Sequence, residues 1–282
     1  MQDFEVQTWA LAAKIGQELE DGHLNFPTSM EISLRIKQLA DNPNSSVDDI
    51  VAVVRAEPVL SAKVLRMANA MLLNPYGAHI TSINHAVKRI GLAALRCLAF
   101  AVAAEQIVQD RRSPQLHKLA DGLWRHSADI ASWAYAFSHH LRTANPDTAM
   151  LTGMMVDIGQ FFLLARAADY PALENNTDRF SEFMTVWKTP ISRSVLEAFE
   201  LPNDIIDALN NEIFYDDCWP PQTLQDIVQA AILASDIPNP FEREKPSIPK
   251  DDERTEFDEL QFFALLDVTR AHKDAILDTI YG

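Results

Sequence analysis

Glycine is scarce in this chain, 8 residues in 282, which argues against a β architecture with many tight turns. No G-x-G-x-x-G or G-x-x-x-x-G-K-[ST] pattern is present, so neither common phosphate loop is encoded. Cysteine is scarcer still. Cys97 and Cys218 stand far apart, form no C-x-x-C, and suggest neither a disulfide framework nor a zinc ribbon. Cations are also few: the formal net charge is −16, and residues 203–259 hold 15 acidic side chains against 4 basic ones. Direct binding to a nucleic-acid backbone needs clustered cations, which this sequence does not supply. The acidic tract reads as a solvated face, with a docking surface for a basic partner as the other reading.

Long apolar runs are missing too. None reaches the ~18–20 residues of a membrane-spanning helix, and Leu92–Ala104 is interrupted by Arg96. The start, Met1-Gln2-Asp3-Phe4-Glu5, lacks the basic residues and apolar centre of a signal peptide. The expectation is a cytoplasmic protein without membrane insertion.

What is present is helical periodicity. A first helix over about 3–20 places Phe4, Trp9, Leu11, Ala12, Ile15 and Leu19 inward. After a turn at Phe26-Pro27, Ile32, Ile36 and Leu39 mark a second. Ser46 and Asp49 form a capping-box pattern ahead of Val47, Ile50, Val51 and Val54. Pro58 suits the first position of the next helix, whose stripe is Leu60, Val64, Met67 and Met71. Beyond the loop at Asn74–Gly77 comes a helix closed by Gly91, then an all-round apolar helix from about Leu92 to Val108.

Arg111-Arg112-Ser113-Pro114 reads as a domain boundary. Helices then follow at about 115–141, 146–166 (capped by Asn145, with Pro146 first), 178–187, 191–199, 203–213 and 222–236. Residues 238–256 read as an exposed acidic loop. A last helix over about 257–279 sets Phe257, Leu260, Phe263, Ala264 and Val268 on one face. No alternating strand pattern occurs, so the fold class is all-α.

One stretch stands apart: Gly153-Met154-Met155-Val156-Asp157-Ile158-Gly159-Gln160-Phe161-Phe162 sets a single carboxylate inside an apolar run. Burying an ionised Asp without a partner costs several kcal/mol, so Asp157 must face a polar cavity, a metal or nearby donors.

Several stretches resemble the HDOD family, regulatory relatives of the HD-domain metal-dependent phosphohydrolases. They are Leu24-Asn25-Phe26-Pro27; Glu57-Pro58-Val59-Leu60 through Met67-Ala68-Asn69-Ala70, with Glu57 where the family usually has Asp; Ile80-Thr81-Ser82-Ile83 with Ala86 and Ile90-Gly91-Leu92; Leu123-Trp124-Arg125-His126-Ser127; and Gly153–Gly159. The resemblance covers roughly residues 22–236. It implies a two-lobed helical bundle: residues 1–21 an N-terminal helix, 22–110 an N-terminal lobe, 111–237 a degenerate HD-like lobe, and 238–282 an acidic loop and C-terminal helix.

HD enzymes hold metal through a His, a His-Asp pair and a later Asp. By this resemblance His126, Asp157 and Asp236 match three of the four, while Val156 replaces the histidine of the pair. Those three side chains could hold a divalent cation. Losing one imidazole should weaken the site, and no His lies between Asp157 and Asp236 to act as a general acid. Plainer readings stand beside these. His126 reads as a core histidine, Asp157 as a structural partner of His126 or Arg125, Asp236 as a helix-end residue, and His139-His140 as a solvated helix end. Trp124, Trp133, Tyr135 and Phe137 read as core.

The resemblance implies a non-catalytic regulator in bacterial signalling, acting through a regulatory protein of a two-component or cyclic-dinucleotide pathway, with no cofactor required. A groove between the lobes would receive a partner helix. No receiver or diguanylate-cyclase segment is expected within the 282 residues, and the expectation is a partner on a separate chain. The alternative is a metal-dependent phosphohydrolase acting on a nucleotide or phosphoester. A third reading keeps the old pocket as an anion or nucleotide sensor, with Arg125 as the anion contact.

Overall fold

The computed structural model describes residues 2–22, 24, 31–69, 79–109, 114–198, 201–210, 219–242 and 253–281. Twelve α-helices are described: α1 Gln2–Glu20, α2 Glu31–Asp41, α3 Val47–Ala56, α4 Pro58–Asn69, α5 Ile83–Gln109, α6 Pro114–Leu141, α7 Pro146–Met154, α8 Ile158–Ala167, α9 Thr177–Ala198, α10 Asn203–Asn210, α11 Leu224–Ala234 and α12 Glu253–Tyr281. No strand occurs among the described residues. The expected turns at Phe26-Pro27 and Asn74–Gly77, the boundary at Arg111–Ser113, and most of the acidic loop lie outside them.

Local sequence accounts for many of the helix ends. Ser46 and Asp49 close a reciprocal capping box on α3, and Asn145 accepts from the Thr148 N–H with Pro146 opening α7. Thr223 and Asp226 make a second box on α11. At Gly91, φ is 78°, and this break separates the two halves of α5. Asn69 explains its place in the motif of α4: its amide donates to the carbonyls of Leu65 and Ile80 and its oxygen accepts from the Ile80 N–H. The chain is thereby clamped where it re-enters α5.

A single apolar cluster runs from Phe4, Leu11 and Ile15 through α3, α4 and α5 into α6, α7, α8 and α9. The helices expected to form two lobes therefore contribute to one core. A second, smaller cluster behind α6 joins Ile130, Trp133 and Phe137 to α11 and to Phe262 and Leu265 of α12. Trp124, Trp133, Tyr135 and Phe137 are all buried, as core residues should be.

Charged contacts bolt the outer helices on. Glu18 and Arg166 form a buried two-pronged pair at 2.7 and 2.9 Å between α1 and α8. On α4, Lys63 donates to the Ile280 carbonyl and Arg66 to that of Asp278, each at 2.8 Å. Cations at a helix C-terminus complement its dipole and its unpaired carbonyls. The C-terminal helix, which carries no family motif, is thus tied to α4 at one end and α6 along its side.

Several sequence expectations require correction. The helices expected at 178–187 and 191–199 are one, α9, which runs through Pro190. Trp9 is 73% exposed and Val47 is outward, because each lies off the stripe its own helix buries. On α12 the face chosen from sequence is the outer one. Phe262, Leu265, Thr269, Ile276 and Ile280 are buried, while Leu260, Phe263, Ala264 and Val268 are exposed. Two apolar stripes share this helix, and only packing decides between them. Finally, Pro146–Ala167 is long and apolar enough to match a membrane span, contrary to the expectation that no stretch is; it is two helices, and 83% of the apolar window is buried in the core.

Candidate functional site

The sequence predicts one helix over 146–166; the structure breaks it. α7 ends at Met154, residues 155–157 make a turn, and Asp157 occupies the position before α8. Two glycines mark close approaches on either side of the break. A Cβ on Gly153 would stand 2.8 Å from the Ala131 Cα of α6, and one on Gly159 would stand 2.7 Å from the Lys188 carbonyl oxygen of α9. Each glycine seats its helix against a different neighbour, and the turn between them redirects the chain from one to the other. That turn delivers Asp157 to α6, and the Gly159 contact brings Lys188 of α9 alongside.

The Asp157 carboxylate is fully buried, and protein donors meet it on both oxygens. Oδ2 accepts from His126 Nδ1 at 2.8 Å and from Ser127 Oγ at 2.7 Å. Oδ1 accepts from Asn239 Nδ2 at 3.0 Å, and the same amide donates to Gln160 Oε1 at 2.9 Å. The Phe241 N–H holds the Asn239 oxygen in turn. Lys188 Nζ lies 2.7 Å from Glu242 Oε1 at the rim. The site therefore draws on α6, the α7–α8 turn, α9 and the segment after α11.

The electrostatics are internally balanced. Burial disfavours the imidazolium of His126, but the adjacent Asp157 charge outweighs it and holds the proton affinity above the ordinary value. Burial likewise pushes the Asp157 carboxyl upward, yet His126 and its hydrogen bond, Lys188 and Ser127 together pull it below the usual carboxylate range. Lys188 loses hydration, and the charges of Asp157 and Glu242 more than restore its affinity for the proton.

Of the candidate metal ligands, the structure brings His126 and Asp157 together. It does not bring Asp236 to them: that side chain is exposed just beyond α11, and Asn239, three residues later, takes the place beside Asp157. Val156 is half-buried and packs on the smaller apolar cluster. Arg125 is exposed and paired at 2.9 Å with Asp121 one turn away. Among the described residues, no group of three or more His, Cys, Asp or Glu side chains is placed to hold a metal ion. The residues present do not fit one.

Sequence reasoning missed Ser127, Gln160, Lys188, Asn239 and Glu242. Ser127 and Gln160 each adjoin a residue already singled out. Asn239 lies in Pro238-Asn239-Pro240, read as exposed loop; the structure instead buries Asn239 and Phe241.

Comparison with known proteins places this geometry. Residues 26–212 match the family model described as HDOD domain. A protein of Treponema pallidum (strain Nichols), described only as uncharacterized, is 29% identical over 107 residues; the match covers 38% of this chain and 20% of that one. The chain thus spans about a fifth of that relative's length. Among solved structures, a presumed metal-dependent phosphohydrolase from Shewanella amazonensis superposes with a TM-score of 0.69 at 21% identity, covering 98% of this chain and 99% of that one. An HDOD domain protein of unknown function from Geobacter sulfurreducens gives 0.59 at 20% identity, with 98% of each chain covered. A presumed signal transduction protein from Marinobacter aquaeolei VT8 gives 0.55 at 15% identity, over 98% of this chain and 66% of that one. At these identities the likeness shows the shared fold.

Proposed function

The chain belongs to the HDOD family, and from that membership we propose that it is a non-catalytic regulatory protein that works by binding another protein. The observation that carries this reading is the state of Asp157. Of its four lone-pair directions, three are occupied by His126, Ser127 and Asn239. A metal-dependent hydrolase needs ligands that turn their lone pairs to the ion and an open position for water. Here Val156 offers no ligand, Asp236 is exposed and forms no three-ligand group with His126 and Asp157 among the described residues, and the His126 nitrogen nearest Asp157 is spent on it.

In this role the old site is a polar node joining four parts of the fold, and no resident cofactor is required. The partner is a regulatory protein, of the two-component or cyclic-dinucleotide kind with which the family is associated. One observation favours the alternative phosphohydrolase: the His126–Asp157 contact itself is kept. Elemental analysis of protein purified without chelator or metal affinity resin, with a phosphoester hydrolysis assay over a panel of divalent cations, separates the two. The expected result is no stoichiometric metal and no cation-dependent turnover. A bound metal that disappears in His126→Ala, together with turnover, would overturn the regulatory reading.

A further inference from the structure

α12 has one apolar face too many. Its inner stripe packs on α6 and α4, yet Leu260, Phe263, Ala264, Val268, Ala271 and Ala275 all stand exposed on the opposite side. Leu260 is 72%, Val268 59% and Phe263 53% exposed. The spacing follows helical periodicity from Leu260 to Ala275, a ridge about 22 Å long. Contiguous apolar patches of this sort mark binding surfaces more often than scattered single residues do. The alanines would let a second helix approach closely, while Leu260, Phe263 and Val268 supply the area.

Charge decides which helix. Glu259, Asp267 and Asp274 border the ridge. The cations of the same half do not cancel this charge: Arg270 is exposed with its Cζ 5.8 Å from the Trp133 ring centroid, Lys273 Nζ lies 2.7 Å from Asp129 Oδ1 and 3.6 Å from Asp274 Oδ1, and Asp267, Asp274 and Asp278 are all exposed. A second copy of this chain would set carboxylates against carboxylates on a protein of net charge −16. We infer that the outer face of α12 docks a basic amphipathic helix of a partner protein, with apolar anchors along the ridge and Lys or Arg beside Asp267 and Asp274. This rests on the reading that the chain works through a protein partner, and it supplies the surface and the chemistry.

The probe is a labelled synthetic helix of ~18 residues, with leucines on one face and lysines on the other, titrated by fluorescence anisotropy against the full chain. Saturable binding in the micromolar range is expected, weakened about tenfold or more by Leu260→Ser with Val268→Ser. Asp267→Asn with Asp274→Asn should weaken it several-fold and flatten its salt dependence. Val186→Ser, an equivalent apolar loss on α9, should leave it unchanged. No saturable binding, or equal binding by the Leu260/Val268 variant, overturns the docking face. Sedimentation of the chain alone supplies another outcome: a dimer dissolved by the same substitutions would assign the face to a second copy and overturn the basic partner. Cation-dependent phosphoester turnover by the same preparations would sink the regulatory reading instead, whatever the peptide does.

Discussion

Asp129 and Asp157 are both buried, both touch α6 chemistry, and are answered in opposite ways. Asp157 receives three donors, from His126, Ser127 and Asn239, and none of them is a long flexible side chain. Asp129 is met by the Lys273 ammonium of α12 at 2.7 Å on one oxygen, while Oδ2 has no hydrogen-bond partner. The same ammonium lies 5.4 Å from the Trp133 ring centroid. One aspartate is a fixed junction of four chain segments; the other is a tether for a single helix. A buried carboxylate by itself therefore announces neither catalysis nor metal. What it does follows from which groups meet its lone pairs and how firmly they are held.

The largest effect should come from making the same swap at both. In Asp157→Asn one oxygen becomes an NH₂ that must face donors on whichever side it lands. The expected loss is about 3–5 kcal/mol, comparable to breaking a buried pair. Asp129→Asn should cost less, about 1–2 kcal/mol, because the Lys273 ammonium it leaves keeps Asp274 at 3.6 Å and the Trp133 ring. Chemical denaturation of the two variants checks this. Equal losses would erase the distinction between junction and tether.

Asn239→Ala comes next. It removes the donor to Oδ1 and frees the 235–242 segment, and the expected cost is about 1–3 kcal/mol. Lys273→Met removes the tether, and its effect should instead concentrate on α12, seen as faster amide exchange along that helix with the Asp157 junction intact. Exchange that accelerates equally around Asp157 would mean the two carboxylates belong to one network.

Much of this was legible in sequence, and the reasons are physical. Capping patterns at Ser46, Asn145 and Pro146 are local, so reading them needs no knowledge of the tertiary fold. Asp157 announced itself because a carboxylate between Val156 and Ile158 breaks an apolar run, and its bond to His126 was among the readings open from sequence. Asp129 went unnoticed because its partner lies far along the chain on a helix that carries no recognised motif. Asn239 was missed because flanking prolines read as exposed loop, although nothing about proline prevents a short segment from packing inward. The break at 155–157 is hidden for the opposite reason: residues 146–166 satisfy helical periodicity throughout, and the close approaches at Gly153 and Gly159 that flank the turn are tertiary contacts. The outer stripe of α12 is legible in sequence, but a helix with two apolar faces carries no local mark of which one is buried.

The pH response sharpens the contrast without altering the fold. His126 has its proton affinity raised in the folded protein, so its contribution to stability is fully present below its ordinary pKa of 6.5 and is lost as pH rises through the folded value. Asp157 is lowered, so its contribution is present above 3.8 and is lost as pH falls through the folded value. Thermal melts should therefore weaken on the alkaline side of His126, and His126→Gln should abolish that slope. Asp129→Asn should leave it in place. An alkaline slope that survives in His126→Gln would assign it to another group and remove the charge coupling from the description of the junction.

The smallest predicted effect tests whether the junction depends on the helices that deliver it or on its own donors. Asn145 caps the far end of α7, accepting from the Thr148 N–H at 3.0 Å, and Asn145→Ala should cost about 1 kcal/mol. If Asp157 is held chiefly by His126, Ser127 and Asn239, a frayed start of α7 should lower the melting temperature and leave the alkaline slope of His126 unchanged. If the slope shifts with the cap, then α7 transmits strain through Gly153 to the turn at 155–157. The junction would then be a property of helix packing rather than of the donors around the carboxylate.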